Sequence, residues 1–222
     1  MHMGDQIEVK VWDQPIRLFH WALVALVATL WATGEFGILD IHMTVGVWVL
    51  ALLAFRLGWG IIGSPTARFS QFVRGPAAIL EYVRAARSGA VRSVGHNPLG
   101  ALSVLALLGV LTAQAASGLF TTDDIVTNGP LVSTVSSKTA ALLSSVHRIG
   151  AKLILALVAV HLAAVIFYTV VKKDDMIRAM LTGTKRVPRG VDGIRFAHPV
   201  LALVVAAAAG AVVWGGLLLA TR

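Results

Sequence analysis

The chain has 222 residues, 57% of them hydrophobic and only 14% charged, with a mean hydropathy of +0.79, which lies outside the range of soluble domains and reads as an integral membrane protein. It has no cysteine, which excludes disulfides, zinc thiolates, iron–sulfur clusters and thioether-attached haem, so any metal must be held by histidine, methionine, carboxylate or carbonyl. The net charge of +8 and pI near 10.6 do not point to nucleic acid, because the basic residues sit in short loops between apolar runs, where they report membrane orientation.

Residues 5–17 form a polar lead containing Pro15, and the apolar run after it predicts a first span over 18–39 with His20 at its entry. That run begins only after Trp12, Asp13 and Arg17 and is long enough to cross a bilayer, so it is read as a span and not as a cleavable signal peptide. The opening Met1-His2-Met3-Gly4 is given no weight. Trp12, Phe19, Trp21 and Trp31 suit an interfacial aromatic belt. A short turn with Glu35 and Asp40 leads into a second span over 42–62 that opens on His42, at the face opposite His20. Arg56 falls 14 residues after His42, about four turns down the same helix face and near the level of His20. An arginine at that depth calls for an anionic partner, and the neighbouring sequence offers none.

The loop over 63–97 is expected to carry a short amphipathic helix at 76–87 lying on the membrane surface. The third span, 98–120, has no histidine; its Gly100, Gly109 and Gly118 permit close approach of a helix or of a planar ring. Residues 121–145 read as a polar loop with Asp123, Asp124 and Lys138, before a fourth span over 146–171. A strongly basic stretch follows, then a fifth span over 199–220, rich in Ala, Val and Gly, with no ionisable interior residue and suited to docking on another membrane helix. His96 and His198 stand beside prolines at helix starts, where loop or capping roles are expected.

The fourth span organises the rest. His147 and His161 are 14 residues apart, roughly 21 Å and ~3.9 helical turns, so both imidazoles face nearly the same way and cannot share one metal ion. Across a hydrocarbon core ~30 Å thick, such a helix offers one ligand near each membrane face. The basic residues outside the amino-terminal lead, the 63–97 loop with its flank and the 172–195 stretch are Lys138, Arg148, Lys152 and Arg222. The positive-inside rule therefore places the amino terminus in the cytoplasm and the carboxyl terminus outside. His20 and His161 then share the cytoplasmic level, and His42 and His147 the outer one. Two imidazoles on opposite sides of an iron porphyrin give a six-coordinate haem suited to passing one electron. Zinc or copper more often takes three or four ligands at a centre. The bland alternative is that each histidine only bonds a backbone carbonyl or a neighbouring helix. For the haem reading, Arg56 and Arg148 are the candidates to neutralise propionates, one at each level, because a carboxylate near hydrocarbon without a cation costs several kcal/mol.

The segments WDQPIRLFHW, IHMTVGVWVLALLAFRLGWGIIG, RFSQF and GHNPLGALSV, with the His147/His161 pair, resemble the prokaryotic cytochrome b(561) family over about residues 8–184. That family is related to the membrane b subunits of nickel–iron hydrogenases and of formate dehydrogenase. The resemblance implies an all-α fold: an integral membrane four-helix bundle holding two b haems, here completed by a fifth C-terminal transmembrane helix that compact members lack. It implies His20, His42, His147 and His161 as axial ligands, in the pairs His20/His161 and His42/His147. Residues 1–184 would be the di-haem unit, and 185–222 a basic linker and the fifth helix. The expected function is electron transfer across the bacterial inner membrane between the quinone pool and a redox partner, either a periplasmic cytochrome c or a dehydrogenase or hydrogenase subunit. Superoxide:quinone oxidoreductase activity is the alternative, and a non-redox membrane anchor or metal transporter the remote one. The expected contacts are with membrane lipid, quinone, a redox protein and a second copy of the chain, and not with nucleic acid.

Overall fold

The computed structural model describes residues 6–87, 95–123, 127–188 and 194–222. The sequence assignments touching residues 1–5, Arg92, Asp124 and Arg189 lie outside the described residues. Five helices are long and apolar enough to cross a membrane: α1 (Gln14–Glu35), α2 (Leu39–Ile62), α5 (Pro98–Gly118), α6 (Ser137–Val170) and α8 (Pro199–Ala220). Between them stand the short helices α3 (Phe69–Phe72), α4 (Pro76–Arg87) and α7 (Met176–Thr182), and two strands, β1 (Gln6–Lys10) and β2 (Thr184–Pro188).

Most helix ends are set by local chemistry. α1 begins four residues before the expected span because Asp13 caps it, its Oδ1 accepting from the Ile16 N–H at 2.9 Å, with Pro15 in the first turn. α1 and α2 are joined through Gly37, whose φ of +70° suits a residue without Cβ. Asn97 caps α5 through the Gly100 N–H at 2.7 Å, and His198 caps α8, its Nδ1 accepting from Val200 N–H at 3.3 Å. α6 departs most from expectation. Residues 137–145, read as loop, are helical, because Ser136 caps at Thr139 and the Ser144 hydroxyl ties the first turns to Thr122, accepting its N–H at 3.0 Å. At ~1.5 Å per residue its 34 residues reach about 50 Å, well beyond the hydrocarbon core, so α6 stands out of the membrane at its start.

In the bundle α1 packs on α2, α2 on α5, and α5 most closely on α6, while no comparable seam among the described residues joins α6 back to α1. The shared core runs through Val49, Leu53 and Trp59 of α2, Leu108 and Leu111 of α5 and Ile154 of α6. α8 docks on α2 of its own chain: a Cβ at Gly58 would meet Val205, and Trp214 meets Trp48 edge-on at 4.7 Å. The small residues of the fifth helix are therefore used, in part, inside the chain. The amphipathic helix α4 is present over the expected residues and is anchored to the end of α6 by the Tyr82 and Tyr168 hydroxyls, 3.2 Å apart.

The polar lead and the basic stretch hold structure that the apolar runs did not reveal. β1 pairs antiparallel with β2, from Gln6 opposite Pro188 to Lys10 opposite Thr184, over a small core of Val9, Val11 and Val187. Gly183, at φ +85°, ends α7 and turns its carbonyl to the Val11 N–H at 2.8 Å. Some of the basic residues are also engaged in pairs: Arg178 with Glu8 at 2.5 Å, and the largely covered Lys185 with Asp174 at 2.8 Å.

Candidate functional site

Two of the four span histidines face each other ring to ring, and the other two lie within electrostatic reach of one another. At one end of the bundle, His42 from the first turn of α2 and His147 from α6 face each other with ring centroids 6.1 Å apart and planes at 79°. The Nδ1–H of His42 donates to the Leu30 carbonyl of α1 at 2.9 Å, with the Thr33 hydroxyl oxygen 3.4 Å away. The Nδ1–H of His147 donates to the Gln114 carbonyl of α5 at 3.0 Å. A carbonyl only accepts, so each bond fixes the proton on Nδ1 and leaves a lone pair on Nε2. Both rings lie on glycine: a Cβ at Gly34 would come 3.3 Å from the His42 ring, and one at Gly118 would come 2.9 Å from His147 Cε1. A side chain there would push the imidazole out of line.

These residues fit an iron porphyrin. Metal–nitrogen bonds of about 2 Å on either side of one iron, with the radius of each ring, put two imidazole centroids about 6 Å apart. Metal-bound histidines also commonly donate their other nitrogen to a carbonyl, which orients the ring and raises its basicity. The bland alternative, that each histidine bonds a carbonyl, is thus present as a fact, but it occupies only one nitrogen per ring.

At the other level His20 of α1 and His161 of α6 lie near enough to interact electrostatically. This pair is held differently. His20 Nδ1 is buried without a hydrogen-bond partner among the described residues, and its ring rests edge-on against Trp21 at 5.0 Å. The charged groups gather beyond it. Arg56 is 3% exposed, its guanidinium lies over the Phe69 ring at 4.6 Å, and Phe69 in turn packs where Gly60 leaves α2 bare. An acidic group within electrostatic reach of Arg56 is Asp13, also 3% exposed, whose Oδ2 accepts from Trp59 Nε1–H at 3.0 Å. His96 is likewise more than a loop residue: its ring sits between Trp12 at 4.6 Å and Phe72 at 4.5 Å, and burial with the nearby Arg56 brings its pKa down to about 4. Arg148 is exposed and its Nη2 donates to Ser145 Oγ, one turn back on α6, at 3.1 Å.

A cavity of about 870 Å³ opens between α1, α2 and α8. Its lining is mostly apolar, including Phe19, Leu26, Leu52, Phe55, Ala202 and Trp214, with Lys10, Asp13, Arg17 and Thr184 among its polar members. Gly109, expected to permit close approach, would have nothing within 4 Å of an added Cβ, whereas Gly118 serves as the seat of His147.

The family described as prokaryotic cytochrome b561 matches residues 11–183. No curated protein and no solved structure matches the chain. The matched stretch contains all four span histidines with Asp13, Arg56 and His96, and stops short of β2 and α8. The chain belongs to the prokaryotic cytochrome b561 family, multi-pass membrane proteins that bind b-type haem and transfer electrons.

Proposed function

We propose that this protein is a di-haem cytochrome of the bacterial inner membrane, carrying electrons between the quinone pool and a redox partner, a periplasmic cytochrome c or a dehydrogenase subunit. The observation that carries this reading is the facing pair His42 and His147, each with Nδ1–H committed to a carbonyl and Nε2 free. His42/His147 and His20/His161 would each hold one haem. Bound between two such imidazoles, a b haem supplies reversible one-electron chemistry with no open coordination position.

The protein's own residues supply the rest. The Leu30 and Gln114 carbonyls orient the outer imidazoles, and Gly34 and Gly118 give them room. Leu53, Leu108, Leu111 and Ile154 keep the interior dry. Arg56 at the inner level and Arg148 at the outer are the cations for propionate groups. The cavity beside α8, mostly apolar with a few polar members, supports a lipophilic quinone as substrate. Residues 1–184 form the haem-carrying unit and 185–222 an accessory linker and helix, with the amino terminus cytoplasmic.

A pyridine haemochrome assay with redox titration of the purified chain tests this, with two haems per chain and two components expected. His20→Ala and His161→Ala should lose one component, and His42→Ala and His147→Ala the other. If His161→Ala and His42→Ala lose the same component the pairing is wrong, and a chain isolated without haem overturns the whole reading.

A further inference from the structure

On α2 the residues His42, Gly46, Val49, Leu53, Arg56 and Gly60 follow one another at helical spacing and form a single stripe. Its first member looks across the bundle at His147, and Val49 and Leu53 are 2% and 1% exposed in the shared core. Arg56 therefore points into the bundle interior at the inner end. Two nitrogens in this region are shut off from solvent and lack hydrogen-bond partners among the described residues: Arg56 Nη1 and His96 Nδ1. Arg56 and His96 are also close enough for the guanidinium to influence the imidazole. Arg56 lies over Phe69, Phe69 meets Phe72 at 5.7 Å, and Phe72 meets His96 at 4.5 Å, so one aromatic cluster carries both groups. A buried guanidinium N–H left unmade costs more than an ordinary missing hydrogen bond, and with its proton on Nδ1 His96 is a second donor that can share the acceptor. Asp13 lies within electrostatic reach of Arg56, yet Arg56 Nη1 still has no hydrogen-bond partner among the described residues, so the acceptor for that N–H is still to be supplied.

We propose that Arg56 and His96 together bind one carboxylate, a propionate of the haem at the His20/His161 level, with His96 as a positioning residue that the charge pattern of the sequence did not reveal. This rests on the di-haem reading. Asp13 balances the standing charge of Arg56 across the helix, and the Phe69 face holds the guanidinium flat, leaving its outer N–H groups for the incoming oxygen. Trp12 and Phe72 fix the His96 ring from both sides, so its Nδ1 is presented in one direction.

The test uses the haem-loaded chain with Arg56→Gln, His96→Leu and His96→Asn, read by resonance Raman of the propionate-bending band and by redox titration. Asn places an amide N–H near the Nδ1 position, whereas Leu places none. Arg56→Gln and His96→Leu should each shift the propionate band and move the midpoint of the inner component, downward for Arg56→Gln, with the outer component unchanged. His96→Asn should restore the wild-type band. If His96→Leu sheds the inner haem, His96→Asn decides: retention with the wild-type band upholds the proposal and loss overturns it. Wild-type protein with two haems and a propionate band indifferent to all three substitutions also overturns it. A wild-type chain with fewer than two haems would instead count against the di-haem reading.

Discussion

The two histidine levels are built by different means. At the outer level, direction comes from neutral hydrogen bonds and from missing side chains: carbonyls of α1 and α5 hold Nδ1, and Gly34 and Gly118 lie against the rings. Among the described residues nothing holds His20 Nδ1, and toward that end of α1 and α2 the buried charged and polar groups are Asp13, Arg56 and His96. Geometry organises one end of the bundle and electrostatics the other. The outer level should be sensitive to volume, and the inner level to charge.

The sharpest way to break that contrast is Gly118→Val. The first added carbon would already lie 2.9 Å from His147 Cε1, so a branched side chain should expel the ring. The expected result is loss of the outer haem with the inner one retained, measured as haem per chain and as the surviving titration component. Loss of both would mean that the levels are not independent.

Charge is addressed by Asp13→Asn. Asparagine caps a helix as well as aspartate does, so the cap at Ile16 survives while the anion beside buried Arg56 is removed. Removing the carboxylate charge within electrostatic reach of buried Arg56 should destabilise the fold, seen as a lower Tm in detergent. Removing a negative charge disfavours the oxidised state, so the inner midpoint should rise more than the outer.

A smaller effect is expected at the floor of the inner level. Tyr168 lies on the His161 face of α6 two turns further on, and its hydroxyl meets that of Tyr82. These are the only two tyrosines in the chain. Burial, then the bond to Tyr168, pushes the Tyr82 phenol above its ordinary value. A group whose pKa is raised on folding stabilises the fold below its unfolded pKa, here ~10, and loses that contribution as pH rises through the folded value. The Tyr82 contribution should therefore be constant at neutral pH and fade only in strong alkali, checked by phenolate absorbance. Tyr82→Phe should cost about 1 kcal/mol and leave both haems in place. Smallest of all is Thr33→Val: the hydroxyl is a distant second neighbour of His42 Nδ1, and with Leu30 still accepting, the outer midpoint should barely move.

Much of the scaffold was legible because hydropathy and helical period act locally. The spans and the surface helix at 76–87 follow from runs and spacings within single helices. What escaped depends on contacts far apart in the chain. Asp13 reaches Arg56 and Trp59 only once α1 lies against α2, and the early start of α6 depends on Ser144 finding Thr122. Carbonyls that orient histidines leave no mark in a sequence at all, since every residue has one. The seat at Gly118 was visible as a small residue, but not as belonging to His147.

The pairing of β1 with β2 has a topological consequence. Strands joined residue by residue, from Gln6 with Pro188 to Lys10 with Thr184, lie on the same side of the bilayer. The chain between them must therefore cross an even number of times, and α1, α2, α5 and α6 make four. Parity thus excludes an arrangement in which one of these helices fails to insert while the strands stay paired. Because β1 is made first and β2 only after all four crossings, the little sheet closes as a latch on a completed insertion. Among the described residues α8 is the one candidate span after the latch, and its crossing puts Ala220 in the compartment opposite the two strands, whichever way the first four crossings point.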